Sequence, residues 1–326
     1  MDRQIKRHEA WRLQYRGDRY LRDLSDSELF TRGGDLMTVT LEHSKDGKIA
    51  LKPVGEDPSR MERFTHVLEE LVIRCIDYRQ PGIVEAMRLP HPNSPKVKRA
   101  FQTLAGRSWS DPFLVKFGAR KHMAPLFLEG CGRISLAKTY NDPSLGYARA
   151  DDESKISVYV HPMDAHRLMA VEHTADGSSR GLDIYVPYLG SVKLDLQATS
   201  DFYVYCMSQC CDPRMFDDFT TPSSDVDTCV VVIRPDVFRA RLREAVASTL
   251  PEWKLIEGPV IYVDPFFARV HHLAPQFCKH FRFEYQKEYR LLWLPPQPDR
   301  ATNPASADHI NFDLGPLTDY ATLIWL

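Results

Sequence analysis

Fourteen residues, Phe281 to Leu294 (FRFEYQKEYRLLWL), constrain the fold more than any other stretch of the chain. The odd positions Phe281, Phe283, Tyr285, Tyr289, Leu291 and Trp293 are aromatic or apolar, with Lys287 as the exception. The even positions Arg282, Glu284, Gln286, Glu288 and Arg290 are polar or charged. A period of two in residues of this type predicts a β-strand whose side chains alternate between two faces. Its polar face either meets water or lines a cleft. On a continuous strand Gln286 and Glu288 point the same way, and that pair is the candidate chemistry. Glu288 also has an ordinary alternative, an ion pair with Arg290 or Arg282 along the strand face.

Composition narrows the function classes. With 326 residues, 43% hydrophobic and 26% charged, the chain has the make-up of a globular protein of one large or two ordinary domains. A formal net charge of -2 argues against coating nucleic acid or an anionic membrane by electrostatics alone. No apolar run reaches the length of a membrane span, and the start MDRQIKRHEAWR lacks a signal-peptide core. A cytoplasmic protein without membrane partners is therefore expected. The seven cysteines are odd in number, and Cys75, Cys229 and Cys278 lie in apolar contexts, so reduced core thiols are expected. Cys206, Cys210 and Cys211 crowd together without a CxxC pair, and the histidines lack metal-ligand spacing.

In chain order, residues 1–110 read as an α/β N-terminal region that binds a substrate or partner, and 111–326 as the main domain, with GRSWSDP at 106–112 as the boundary. Asp2–Leu24 is charged and helical. Leu36–Glu42 and Lys48–Val54 read as strands joined by an Asp-Gly turn. Ser59 opens a helix, with Glu62 as its capping-box partner. A short helix follows around Val97–Leu104. From Phe113 strands dominate: Phe113–Phe117, Ile134–Ala137, Ile156–Val160, Asp183–Tyr188, Val192–Leu196, Phe202–Met207, Thr228–Ile233 and Val260–Val263. Between them lie helices at Lys121–Glu129, which Gly130 ends, at Pro235–Ser248 and at Phe266–Lys279. The acidic run Asp151-Asp152-Glu153 either binds a cation or a basic partner, or else sits in water or caps a helix.

Several segments carry a resemblance: VKFG at 115–118, HMAPLFLEGCGRISLAKTYND at 122–142, ARADDE at 148–153 and YQKEYRL at 285–291. Over a little more than half the chain these resemble a bacterial family of abortive-infection-type proteins of unknown function. The order strand, helix, strand, acidic loop, late Gln-x-Glu strand also resembles the ADP-ribosyltransferase fold. The resemblance implies an α+β fold, with an ADP-ribosyltransferase-like split β-sheet core and flanking helices. It implies NAD as a substrate and a mono-ADP-ribosyltransferase acting as an intracellular toxin or phage-defence effector. Its acceptor would be nucleic acid or protein, and an antitoxin or other neutralising protein would be a partner.

The same resemblance implies residue roles. Glu288 would bind the ribose hydroxyl and face the oxocarbenium-like charge that develops as the nicotinamide bond breaks. Gln286 would orient the acceptor, and Ser208 would place the nicotinamide ribose. Lys116 or Arg120 would hold the pyrophosphate, and an aromatic ring such as Phe117, Tyr140 or Tyr147 would stack on nicotinamide. Cys206-Met207-Ser208 stands where the family has a Ser-Thr-Ser-type motif, leaving one hydroxyl, and Lys116 stands where it has arginine or histidine, unless Arg120 or His122 substitutes. Two other functions suit the same residues. One is an inactive transferase-like sensor; the other is a metal-dependent nuclease using Asp151, Asp152, Glu153 and Glu288.

Overall fold

A computed structural model describes residues 6–43, 49–51, 58–79, 94–104, 112–145, 153–160, 168–173, 179–184, 192–198, 200–222, 224–268, 273–296 and 307–326, with Arg107 and Trp109. Its helices are α1 (Arg7–Gly17), α2 (Asp26–Thr40), α3 (Pro58–Ile73), α4 (Pro95–Leu104), α5 (Arg120–Leu128), the single turn α6 (Met215–Asp218) and α7 (Pro235–Ala247). The main sheet has eight strands: β1 (Leu114–Gly118), β2 (Cys131–Leu136), β3 (Tyr203–Ser208), β4 (Thr228–Val232), β5 (Lys254–Pro259), β6 (Glu288–Leu294), β7 (His309–Asp313) and β8 (Ala321–Trp325). All its pairings are antiparallel, in the order β5-β6-β3-β1-β4-β8, with β2 also on β3 and β7 on β2. The protein is thus an α+β protein with an antiparallel sheet.

The centre of the sheet is buried on both faces, and β4 shows how. Val230 and Val232 enter a core with Phe238, Leu242 and Val246 of α7, whereas Cys229 and Val231 enter the opposite core with Met215, Phe216 and Ala100. The run TCVVV therefore needs no polar face, as expected of a central strand with helices on both sides.

What positions the site is a fork on one edge of β3. Its start pairs with β2 (Leu136 with Tyr203, Ser135 with Val204), and its end pairs with β1 (Val115 with Ser208). Among the described residues, 205–207 find no strand on that edge, so β1 and β2 diverge there. On its other edge β3 pairs continuously with β6, from Trp293 opposite Tyr203 to Glu288 opposite Ser208.

Several expectations need correction. The strand foreseen over Phe281–Leu294 begins only at Glu288: Phe281–Gln286 is a 3₁₀ helix, and Lys287 turns the chain in the left-handed region (φ 42°, ψ 50°). The alternation before residue 287 is thus no strand, because Phe281 and Phe283 point into cores in helical geometry. Leu36–Thr40 belongs to α2, and only Leu41–His43 forms a strand, paired with Ile49–Leu51; the turn between them lies outside the described residues. The first helix stops at Gly17. Among the described residues of 266–279 there is no long helix (269–272 lie outside them); a 3₁₀ turn at Pro275–Phe277 leads into the strand Cys278–His280, parallel to Ile261–Val263. Of the strand expected at 183–188, residues 183 and 184 end the strand Ser179–Ile184, paired with Leu168–His173, and 185–188 lie outside the described residues. All seven cysteines are free thiols, but Cys75 is exposed instead of buried.

The N-terminal helices pack on the segment that leads into β6. Tyr15, Leu29, Leu36, Val67 and Leu71 share one core with Phe281. Arg32 makes two hydrogen bonds of 3.0 and 3.1 Å to Asp264, and Arg63 adds a third at 3.2 Å. Arg60 grips both carboxylate oxygens of Glu284 at 2.8 and 2.7 Å. Two arginines before residue 24 pair with buried carboxylates of α3: Arg16 with Glu69, and Arg19 with Glu70, which also accepts from Tyr15 and Arg74. No described helix is long and apolar enough to cross a membrane.

Candidate functional site

The fork opens into a cleft of about 1280 Å³, larger than the roughly 300–1,000 Å³ of most small-molecule sites. Residues of both faces of β3 line it, Tyr205 and Met207 as well as Cys206 and Ser208, because the sheet is interrupted there. Glu288, Gln286, Ser208, Lys116, Phe117 and Tyr140 lie on this cleft, and Tyr147 lies outside the described residues. Arg120 is not among the lining residues. Its backbone N–H donates to Asp227 (2.9 Å) and its guanidinium lies over the Trp325 ring, 5.1 Å from the centroid. Lys121 and His122, its neighbours on α5, do line the cleft.

Gln286 and Glu288 meet in the cleft for a reason other than strand periodicity. The left-handed Lys287 ends the 3₁₀ turn and starts β6, and the β3–β6 register then sets Glu288 opposite Ser208. The Ser208 hydroxyl sits between the carbonyls of Gln286 and Cys210 (2.8 Å for the latter) and accepts the Cys210 N–H at 3.2 Å. It thus fastens the end of β3 to the turn bearing Gln286. The Gln286 side chain is buried and donates to the Tyr285 hydroxyl at 3.5 Å.

Glu288 belongs to a buried quartet of charges. Arg290 Nε donates to its Oε1 at 2.6 Å, and Lys279 Nζ donates to its Oε2 at 3.0 Å. Glu153 is the fourth member: it contacts Arg290 Nη2, and its Oε1 lies 3.8 Å from Lys279 Nζ. All four side chains are at most 7% exposed. The ordinary reading of Glu288, an ion pair with Arg290, is therefore part of the arrangement. Arg290 Nη1 donates in addition to the Gln276 carbonyl at 2.8 Å. The Cys206 thiol lies beside Glu288; burial and then the nearby carboxylate push its pKa well up, so it stays protonated. An ionised carboxylate offers about four acceptor sites. Arg290, Lys279 and the Cys206 thiol account for three, and Glu288 also lines the cleft.

Glu153, Cys206 and Glu288 place their ligand atoms within 4.8 Å of one another, the spacing of a metal site. The chemistry disfavours a dication there, because Lys279 and Arg290 already neutralise both carboxylates. Glu153 also corrects the reading of the acidic run as solvated; Asp151 and Asp152 lie outside the described residues.

Lys116, expected at a pyrophosphate, lines the cleft and also bridges the fork. Its Nζ donates to the Cys206 carbonyl at 2.7 Å and lies 4.4 Å from the centroid of the Tyr205 ring, on the stretch of β3 that β1 and β2 leave. Phe117 packs edge-on against Phe216, 5.1 Å between centroids, and is buried in that core. Lys279 escaped sequence reasoning, and Glu153 was named only as one of an acidic run and not as a partner of Glu288. Lys279 was assigned to a helix, and nothing in a single acidic run marks which carboxylate turns inward.

A further polar cluster sits beside Gln286. The Tyr285 hydroxyl meets Asp218, and Arg214 covers the Tyr285 ring at 4.3 Å while clasping Asp212. Burial raises the Asp218 pKa to about 6, against the lowering effect of the Tyr285 hydrogen bond and of Arg214.

No known protein-family profile, no curated protein and no solved structure matches the chain.

Proposed function

We propose that the protein is an NAD-consuming mono-ADP-ribosyltransferase that acts on a nucleic-acid or protein acceptor, as a toxin or defence effector. One observation carries this reading: Glu288, Gln286 and Ser208 stand together at the fork of a split antiparallel sheet, on one cleft large enough for a dinucleotide. In the reaction the bond between ribose C1′ and the nicotinamide nitrogen breaks, and its electron pair leaves with nicotinamide. A lone pair of the acceptor forms the new bond to C1′, and the acceptor's proton passes to water. Glu288, which lines the cleft, accepts from a ribose hydroxyl next to the developing positive charge, where a fixed carboxylate favours the transition state. Gln286, on the same wall, orients the acceptor. Ser208 contributes as a positioning residue, by fixing the turn before Glu288. Lys121 and His122 line the cleft near its α5 wall and suit the pyrophosphate better than Arg120 does.

A second reading has its own support. Lys116 and Ser208 make internal bonds, and Glu288 is tied to two cations, which suits a transferase-like module that binds a nucleotide without turnover.

Label transfer from labelled NAD to the macromolecules of a cell lysate separates the two. The variant to compare is Glu288→Gln. Glu288→Ala removes a partner from two buried cations and is expected to cost about 3–5 kcal/mol of stability, enough to confuse unfolding with lost chemistry. Wild-type transfer that Glu288→Gln abolishes supports the transferase; NAD binding without transfer by either protein supports the sensor.

A further inference from the structure

Of the buried quartet, Glu153, Lys279 and Glu288 line the cleft, while Arg290 lies behind them and is fully buried. Among the described residues, the two carboxylates and two cations of this quartet sum to zero, so the quartet itself is electrically neutral. Without Glu153 it would be a cationic floor, with Lys279 and Arg290 both on Glu288, and such a floor attracts phosphate and opposes a developing cation. Glu153 is firmly placed for this role. It stands just before the strand Lys155–Val160, whose ladder with Val192–Gln197 is extended by the bond from Ala198 N–H to the Ser154 carbonyl (2.7 Å).

We infer that Glu153 is a specificity-determining and positioning residue: it cancels the second positive charge at the cleft floor, so that the floor receives the uncharged ribose of a nucleotide and phosphate groups bind elsewhere. The inference deepens the transferase reading and takes its substrate class from it. Glu153 acts through Lys279 and Arg290, not by touching the substrate.

The test compares wild type, Glu153→Gln, Lys279→Met and the double variant, using calorimetric binding of inorganic phosphate at low salt alongside label transfer from NAD. Glu153→Gln is expected to bind phosphate about tenfold more tightly, equivalent to one added charge contact, and to transfer label about tenfold more slowly. The double variant, neutral again, is expected to return phosphate affinity to the wild-type value, a rescue that a merely structural role would not give. Unchanged phosphate affinity in a folded Glu153→Gln overturns the inference. Should Glu153→Gln not fold, Lys279→Met, with a net negative floor, is expected to bind phosphate more weakly than wild type, and equal binding overturns the inference. Absence of label transfer by the wild type, with the phosphate series as expected, removes the transferase reading and leaves the charge assignment standing.

Discussion

Lys116 illustrates how the surroundings of a residue decide its work. Its ammonium answers the Cys206 carbonyl where the sheet forks, a bond from a charged donor to a backbone acceptor. Lys116→Met is expected to lower stability by about 1.5–3 kcal/mol in chemical denaturation while NAD affinity stays within about twofold. A large loss of NAD affinity at unchanged stability would instead support the pyrophosphate role. Asp218 makes a different prediction. Its folded pKa of about 6 lies above the ordinary 3.8, so its contribution to stability is full below 3.8 and is lost as pH rises through 6. Asp218→Asn, which keeps a partner for Tyr285, should therefore be more stable than wild type at pH 7–8, by at most about 3 kcal/mol. That advantage should disappear by pH 4, as read from melting curves across the pH range.

At the scale of elements, the turn Phe281–Lys287 decides the site. Four constraints hold it: the Arg60–Glu284 pair, Phe281 in the N-terminal core, the Ser208 hydroxyl on the Gln286 carbonyl, and the left-handed Lys287, whose carbonyl accepts from Gln209 (2.8 Å). A β-branched residue fits the left-handed region poorly. Lys287→Val is expected to cost about 1–2 kcal/mol or more, whereas Lys287→Gly should be tolerated. Wild-type melting behaviour in Lys287→Val would contradict the turn's importance. The same turn marks the limit of what the sequence conveys. Strands such as Thr228–Val232 and Tyr203–Ser208 were legible because runs of β-branched and aromatic residues leave little alternative. So was α7, through its apolar stripe of Phe238, Leu242 and Val246. The alternation of Phe281 to Gln286 misled because aromatic residues anchored in separate cores can imitate a strand's period. The placement of Lys279 and Glu153 rests on contacts across more than a hundred residues of chain, which local pattern does not encode.

Across the whole molecule, ion pairs tie the N-terminal helices to the segments that lead into β6. Arg32, Arg63 and Asp264 join α2 and α3 to the segment before the turn, and Arg60 joins α3 to the turn itself. The N-terminal region is thereby placed to hold the Gln286–Glu288 segment in register with β3, whatever acceptor or partner it also meets. The central claim, that Glu288 drives cleavage of the nicotinamide bond, is tested most directly by nicotinamide release from NAD by the purified protein. The account predicts release by the wild type, slowed about 10²–10³-fold in Glu288→Gln with NAD affinity within about twofold. Equal release by the two proteins, or none from a wild type that binds NAD, would contradict it.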